Sequence, residues 1–230
     1  MIKMKDLVQE GRKIQETFKT NVVNEDSFPK TKEEVEKILK KFSDRHAGYS
    51  PFIGNYTINA DLTVDVMGGV QLNGFNLTKI PVKFGKVSGG FYCYNNQLRT
   101  LEGAPREVGG HFMCWGNKLT SLEGAPQKVD GAFDCRQNNL TSLEGAPKKV
   151  GEHFNCANNK LTSLKGAPKE VGYSSKGLGF FRCSSNKLTS LEGAPQKVRG
   201  EFHCTANKEL PTSEKRWARK NIKAESFKFR

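Results

Sequence analysis

The sequence of 230 residues predicts a β-solenoid of stacked 21-residue coils, and three observations predict it. Cysteine recurs as Cys93, Cys114, Cys135, Cys156, Cys183 and Cys204, at spacings of 21, 21, 21, 27 and 21 residues. Two residues before each stands a phenylalanine: Phe91, Phe112, Phe133, Phe154, Phe181 and Phe202. Three residues after each stands an asparagine: Asn96, Asn117, Asn138, Asn159, Asn186 and Asn207. A fixed period of this length marks units that bury their apolar face only against their neighbours. Such a chain points to binding before catalysis.

Residues 131–150 show how one coil is expected to work. Phe133 and Cys135 alternate inward on a short strand, and Leu140 and Leu143 pack beneath the turn that follows. Asn138 points inward, its amide bonding the backbone of the adjacent coil, so that six such residues form a ladder satisfying buried turn groups. Gly145 and Pro147 are expected to hold the return segment extended, Val150 closes the coil, and Gly131 lets the chain bend into its strand. No segment of the coil has the length or period of a helix, so its outer side is expected to be irregular or extended.

The spacing Phe133-x-Cys135-x-x-Asn138-x-Leu140 matches the leucine-rich-repeat template L-x-L-x-x-N-x-L. At 21 residues the coil resembles the short repeats of bacterial leucine-rich effectors, whose turn reads Asn-x-Leu-Thr-Ser-Leu-Pro. The fuller phrase Asn-x-Leu-Thr-Ser-Leu-Glu-Gly-Ala-Pro is similar to repeat proteins carried by large T4-like tailed phages. The resemblance covers roughly residues 56–208. It implies a parallel concave sheet and a phage origin, and it brings no catalytic residues.

The expected organisation has three parts. Residues 1–50 form a helical N-terminal cap. Met4, Leu7, Gly11, Ile14 and Phe18 fall on one face of a first helix, and a second starts at Thr31, with Glu34 completing a capping box and Val35, Ile38, Leu39 and Phe42 turned inward. Residues 51–208 form the solenoid. Tyr56 to Val66 alternates as an opening strand or hairpin, and Val70, Leu72, Phe75, Leu77 and Ile80 make a degenerate coil before the six regular ones. Six extra residues at 173–178 precede the strand of Phe181, as tolerated surface variation or as a partner-contacting loop. Residues 209–230 form a basic capping helix and tail, starting at Thr212 or Ser213 and covering the last coil with Trp217, Ala218 and Ile222.

Six cysteines suit neither a zinc site nor a disulfide framework, because the closest are 21 residues apart and lie in parallel on successive coils. They read as a reduced core ladder suited to a cytosolic redox environment. No apolar run reaches membrane-span length and no leader-like segment stands at the N-terminus, so a soluble intracellular chain is expected, and the phage resemblance implies the host bacterial cytoplasm as its location. The net charge of +13 favours acidic partners. Rows at Glu102, Glu123, Glu144 and Glu192, and at Arg106, Lys128, Lys148, Lys149, Lys169 and Lys197, read as solvated ladders.

Residues flanking each Phe and Cys face outward, and they are the least repetitive in the coil. They include Tyr92, Tyr94, His111, Met113, Trp115, Asp134, Arg136, His153, Asn155, Arg182 and His203. Tyr, Trp and Met gathered beside Asp134 and Arg136 have the composition of a protein-interface hot spot, unless the N-terminal cap covers the rings. The histidines have no partner at metal-ligand spacing, and no nucleophile elbow or phosphate-binding loop is present, so neither a metal, a cofactor nor catalysis is expected. The expected function is a non-enzymatic protein-binding module, which the phage resemblance makes a module that binds a host protein and modulates it, for takeover or anti-defence. One alternative is a nucleic-acid-binding accessory protein using Lys215, Arg216, Trp217, Arg219, Lys220 and Lys223, with Phe227 and Phe229 for stacking. Another is a virion structural or decoration protein.

Overall fold

The structure is a computed structural model that describes residues 27–43, 52–53, 55–174 and 179–229. It is a parallel β-solenoid of about eight turns. The first proposed helix, on Met4 to Phe18, lies outside the described residues.

Each coil contributes two short strands to two separate sheets. The nine-stranded sheet runs through β1 (Phe52–Ile53), β4 (Gly69–Gln71), β6 (Phe91–Tyr92), β8 (Phe112–Met113), β10 (Phe133–Asp134), β12 (Phe154–Asn155), β14 (Phe181–Arg182), β16 (Glu201–His203) and β17 (Ser226–Lys228). The eight-stranded sheet holds β2 (Tyr56–Ile58), β3 (Val64–Val66), β5 (Phe84–Val87), β7 (Glu107–Val108), β9 (Lys128–Val129), β11 (Lys149–Val150), β13 (Glu170–Val171) and β15 (Lys197–Val198). The outer side is therefore extended and itself a sheet. The valine that closes each coil pairs with the valine of the next, as Val108 with Val129 and Val150 with Val171. Pairing is parallel except at the N-terminal end, where β1 runs against β4 and β2 against β3.

The repeat residues do their packing work by stacking like on like. The phenylalanines form a continuous ladder with centroids 5.2–5.6 Å apart from Phe91 to Phe202. All six are fully buried, and the six cysteines beside them are buried and unbridged. Burial without a cation nearby pushes the thiols of Cys93, Cys114, Cys135, Cys156 and Cys183 well above the ordinary range. The asparagine ladder takes the expected form. Asn138 accepts the Leu119 N–H through Oδ1 at 3.0 Å and donates through Nδ2 to the carbonyls of Cys114 and Cys135, both at 3.1 Å. One expectation is corrected: Gly145 is not extended but left-handed, at φ 92°, and a Cβ there would lie 2.5 Å from the Leu122 oxygen. The segment must turn sharply over the coil below before proline can straighten it.

The ends differ from the middle. Helix α1 (Lys32–Ser43) starts as expected, with Thr31 Oγ1 accepting the Glu34 N–H at 3.2 Å. Glu34 returns a bond to the Lys30 N–H at 2.7 Å. Val35, Leu39 and Phe42 join the solenoid core, and Phe42 meets Phe75 edge-on at 5.5 Å in the degenerate coil. At the other end, α2 (Thr212–Asn221) buries Ala218, and Ile222 after it, but leaves Trp217 43% exposed. The tail beyond forms β17, whose Phe227 and Phe229 lie 5.9 and 6.0 Å from Phe202. Those two rings, partly buried, pack against the end of the core ladder.

The six-residue insertion leaves the sheet unbroken, since Phe154 still pairs with Phe181. Its neck is closed: a Cβ on Gly179 would lie 2.4 Å from the Gly172 Cα. Tyr173 leans back to donate to Asp130 at 2.8 Å, and residues 175–178 lie outside the described residues.

Candidate protein-binding face

The outward positions of the nine-stranded sheet fall into three columns, fixed by the parallel register. The central column runs Tyr92, Met113, Asp134, Asn155, Arg182, His203 and Lys228. Tyr94, Trp115 and Arg136 stand in the column on the turn side, and His111, His153 and Phe180 in the column before each phenylalanine. The structure thus places all eleven proposed contact residues on one face.

In the turn-side column, three side chains pack into one stack. The Tyr94 and Trp115 rings are parallel within 6°, with centroids 4.5 Å apart. The Arg136 guanidinium covers the other face of the indole at 5.0 Å. Asp134 fixes that guanidinium, with Arg136 Nη1 at 3.3 Å from its Oδ2. Its Oδ1 accepts the Arg136 N–H at 3.0 Å, and its Oδ2 accepts from Asn155 Nδ2 at 3.4 Å. Asp134 and Asn155 are only 9% and 5% exposed, so they support the stack from below rather than offering themselves to a partner. Burial pushes the Asp134 carboxyl above its usual range, against the Arg136 N–H and charge, which favour the anion.

No protein-family model, curated protein or solved structure matches this chain.

The histidines are tied to the fold. His111 Nδ1 accepts the Ala132 N–H at 3.0 Å, and His153 Nδ1 accepts the Phe180 N–H at 3.1 Å. Each ring thereby stands in for a backbone acceptor on the neighbouring coil, with its proton on Nε2. His153 is sandwiched against Phe180 at 3.8 Å, and Arg182 covers the same phenyl ring at 4.7 Å. Burial lowers the His153 pKa, with the Glu152 carboxylate opposing. His203 bonds Glu201, which also takes the Lys228 ammonium and the Ser226 hydroxyl, and these partners hold the Glu201 carboxyl down at about 2. Among the described residues, no group of three His, Cys, Asp or Glu side chains could hold a metal ion, and no helix is long and apolar enough to cross a membrane.

Reading the sequence alone missed two members of this face. One is Phe180, the ring that His153 and Arg182 both contact. Its signal was present: it is the one residue of its column that is aromatic and apolar beside a core phenylalanine. The Glu201–His203–Lys228 cluster was hidden because β17 lies outside the period.

Proposed function

We propose that the chain is a non-enzymatic protein-binding module that engages its partner through the outward face of the nine-stranded sheet. The Tyr94–Trp115–Arg136 stack carries this reading. It is a half-buried aromatic and guanidinium group already held in one arrangement by Asp134, so little side-chain entropy remains to be lost on binding. Tyr, Trp and Arg are the residue types that dominate binding energy at protein interfaces. Tyr92 and Met113 in the next column extend the apolar area.

We infer further that the coil is a variant of the leucine-rich-repeat type. The Phe-x-Cys-x-x-Asn-x-Leu strand and turn and the asparagine ladder support this, and the second sheet is where it departs. Helices α1 and α2 act as caps in this reading. The Glu214 carboxylate accepts the Leu191 N–H at 2.7 Å, where the equivalent Leu164 N–H bonds the Glu192 carbonyl of a following coil. The resemblance to phage repeat proteins suggests a host protein as the partner, met in the host cytoplasm.

The test is an affinity capture from host lysate with the native chain and a Tyr94→Ala/Trp115→Ala variant. A partner retained by the native chain and lost by a variant with an unchanged melting midpoint supports the proposal. Equal retention by both overturns the assignment of the face.

A further inference from the structure

The chain's positive charge is compensated on one side of the coil and not on another. On the eight-stranded sheet, each strand lysine of the central column meets a carboxylate: Lys86 meets Glu107 at 3.3 Å, Lys128 meets Asp130 at 3.5 Å, and Lys149 and Lys197 share Glu170 at 3.0 and 3.1 Å. The edge built by the asparagine turns is different. Residues 97, 118, 139, 160 and 187 hold one equivalent position, because each backbone N–H bonds the leucine carbonyl of the preceding coil at 2.8–2.9 Å. Lys118, Lys160 and Lys187 fill three of these places, Gln97 and Asn139 the others, and Lys208 follows Asn207 at the same step. No carboxylate falls in the row. The four lysines are exposed, and none is ion-paired among the described residues.

The row continues onto α2. The helix's single acidic side chain, Glu214, is turned inward to the Leu191 N–H and the Ser190 hydroxyl. Ala218 and Ile222 face the coil. The opposite stripe carries Ser213, Arg216, Trp217 and Lys220 at helical spacing, all exposed. Glu209 and Glu225 flank the helix, yet residues 208–228 still hold seven basic side chains against three acidic.

We propose that this edge binds single-stranded nucleic acid, independently of the sheet face. Lys160, Lys187 and Lys208 stand on successive coils at about 4.8 Å per coil, with Lys118 two coils before Lys160, and the row can follow a phosphate chain. At its end an indole stands open between Arg216 and Lys220, which suits a base stacked on the ring with phosphates on either side. A duplex keeps its base faces stacked and cannot use the ring. An acidic peptide would satisfy the lysines but leave the indole without a planar partner.

The test is fluorescence anisotropy with a labelled oligothymidylate. With about six phosphates contacted, log affinity falls against log salt with a slope of about −4, so binding weakens about 300-fold between 50 and 200 mM salt. Arg216→Gln/Lys220→Gln flattens the slope by about 1.4. Trp217→Ala weakens binding about 5- to 150-fold at unchanged slope, and Trp217→Phe restores most of it. Trp115→Ala changes nothing. Circular dichroism confirms that each variant folds, as expected for exposed positions. Salt-independent or absent binding overturns the proposal. So does a duplex held as tightly as the single strand, polyglutamate or an anionic vesicle competing better than the oligonucleotide, or Trp217→Ala binding as well as the native chain.

Discussion

Replacing Asn138 by alanine tests the physical basis of the stack. Its Oδ1 is the acceptor for the Leu119 N–H at 3.0 Å, and its Nδ2 reaches the carbonyls of Cys114, Cys135 and Arg136 at 3.1, 3.1 and 3.3 Å. The three carbonyls each keep another donor after the change: Cys114 keeps Asn117, Cys135 keeps Asn159, and Arg136 keeps the Gly116 N–H. Only the Leu119 N–H is orphaned. An orphaned buried donor costs about 1–3 kcal/mol and each of the two bonds lost by the amide hydrogens about 0.5–1.5 kcal/mol, so Asn138→Ala should cost about 2–6 kcal/mol. Urea unfolding followed by far-UV circular dichroism measures it, and exchange of the Leu119 amide reports whether the loss is local. Asn138→Asp sharpens the test. It keeps the acceptor but turns an oxygen toward three carbonyls in a site only 8% exposed. The carboxyl pKa is then raised in the folded state, so the added penalty is absent below about pH 4, the unfolded value, and grows as pH rises toward the folded one. The aspartate variant should be less stable than the alanine variant at pH 7 and approach or pass it in acid. A cost below about 1 kcal/mol for alanine, or an aspartate variant as stable as alanine at pH 7, would refute the ladder argument.

Four further outcomes are expected. Gly145→Ala should destabilise by well over ~1 kcal/mol, because it adds a clash with the Leu122 backbone to left-handed strain. Gly74→Ala, at φ 75° with nothing within 4 Å, should cost only about 1 kcal/mol, and thermal melts of the pair separate the two effects. The six thiols should resist a disulfide reagent in the native chain and all react in urea; fast native labelling would contradict the buried ladder. The His153 imidazole should titrate below 6.5 by NMR. Its folded pKa is lowered, so stability is lost as pH falls through the unfolded value, and removal of the ring should abolish that acid slope. The Glu201 carboxyl should titrate near 2, and the stability it contributes should be fully present above the ordinary value of 4.5 and lost as pH falls through 2.

The fold was legible wherever one residue does the same task in every coil. Phe133, Cys135 and Asn138 keep one identity through all six regular coils and Leu140 through five of them, because a ring stacks best on a ring and an asparagine bridges two carbonyls and an N–H. The second sheet was less legible because its strands are two residues long, and Lys149–Val150 shows no alternation to read. The left-handed residue before each asparagine was also invisible. Asn95, Gln137, Asn158, Ser185 and Ala206 all sit at φ 53–56°, but their identities vary, since the stack on both sides imposes the conformation whichever residue is present. The strand β17 and the packing of Phe227 against Phe202 escaped because the last coil closes without cysteine or asparagine. Of the candidate face, the columns followed from alternation, whereas the inward roles of Asp134 and Asn155 could not. Both are polar residues at outward positions, and what draws them down is their bonding to each other and to the Arg136 and Ala157 N–H groups, which the sequence pattern does not show.

That recess decides which change on the face tests binding cleanly. Trp115→Ala removes a ring stacked on Tyr94 and covered by Arg136, outside the core ladder, so the coil beneath it should survive. Asp134→Ala does something else: it frees the Arg136 guanidinium from a carboxylate at 3.3 Å and removes the acceptor of the Arg136 N–H. If the face binds through a preset stack, Asp134→Ala should weaken the partner without removing any contact. The loss should appear mainly in the dissociation rate, as Arg136 leaves the indole. A partner that binds the Asp134→Ala variant as tightly as the native chain would mean that the stack is not the recognised element, even if Trp115→Ala is defective.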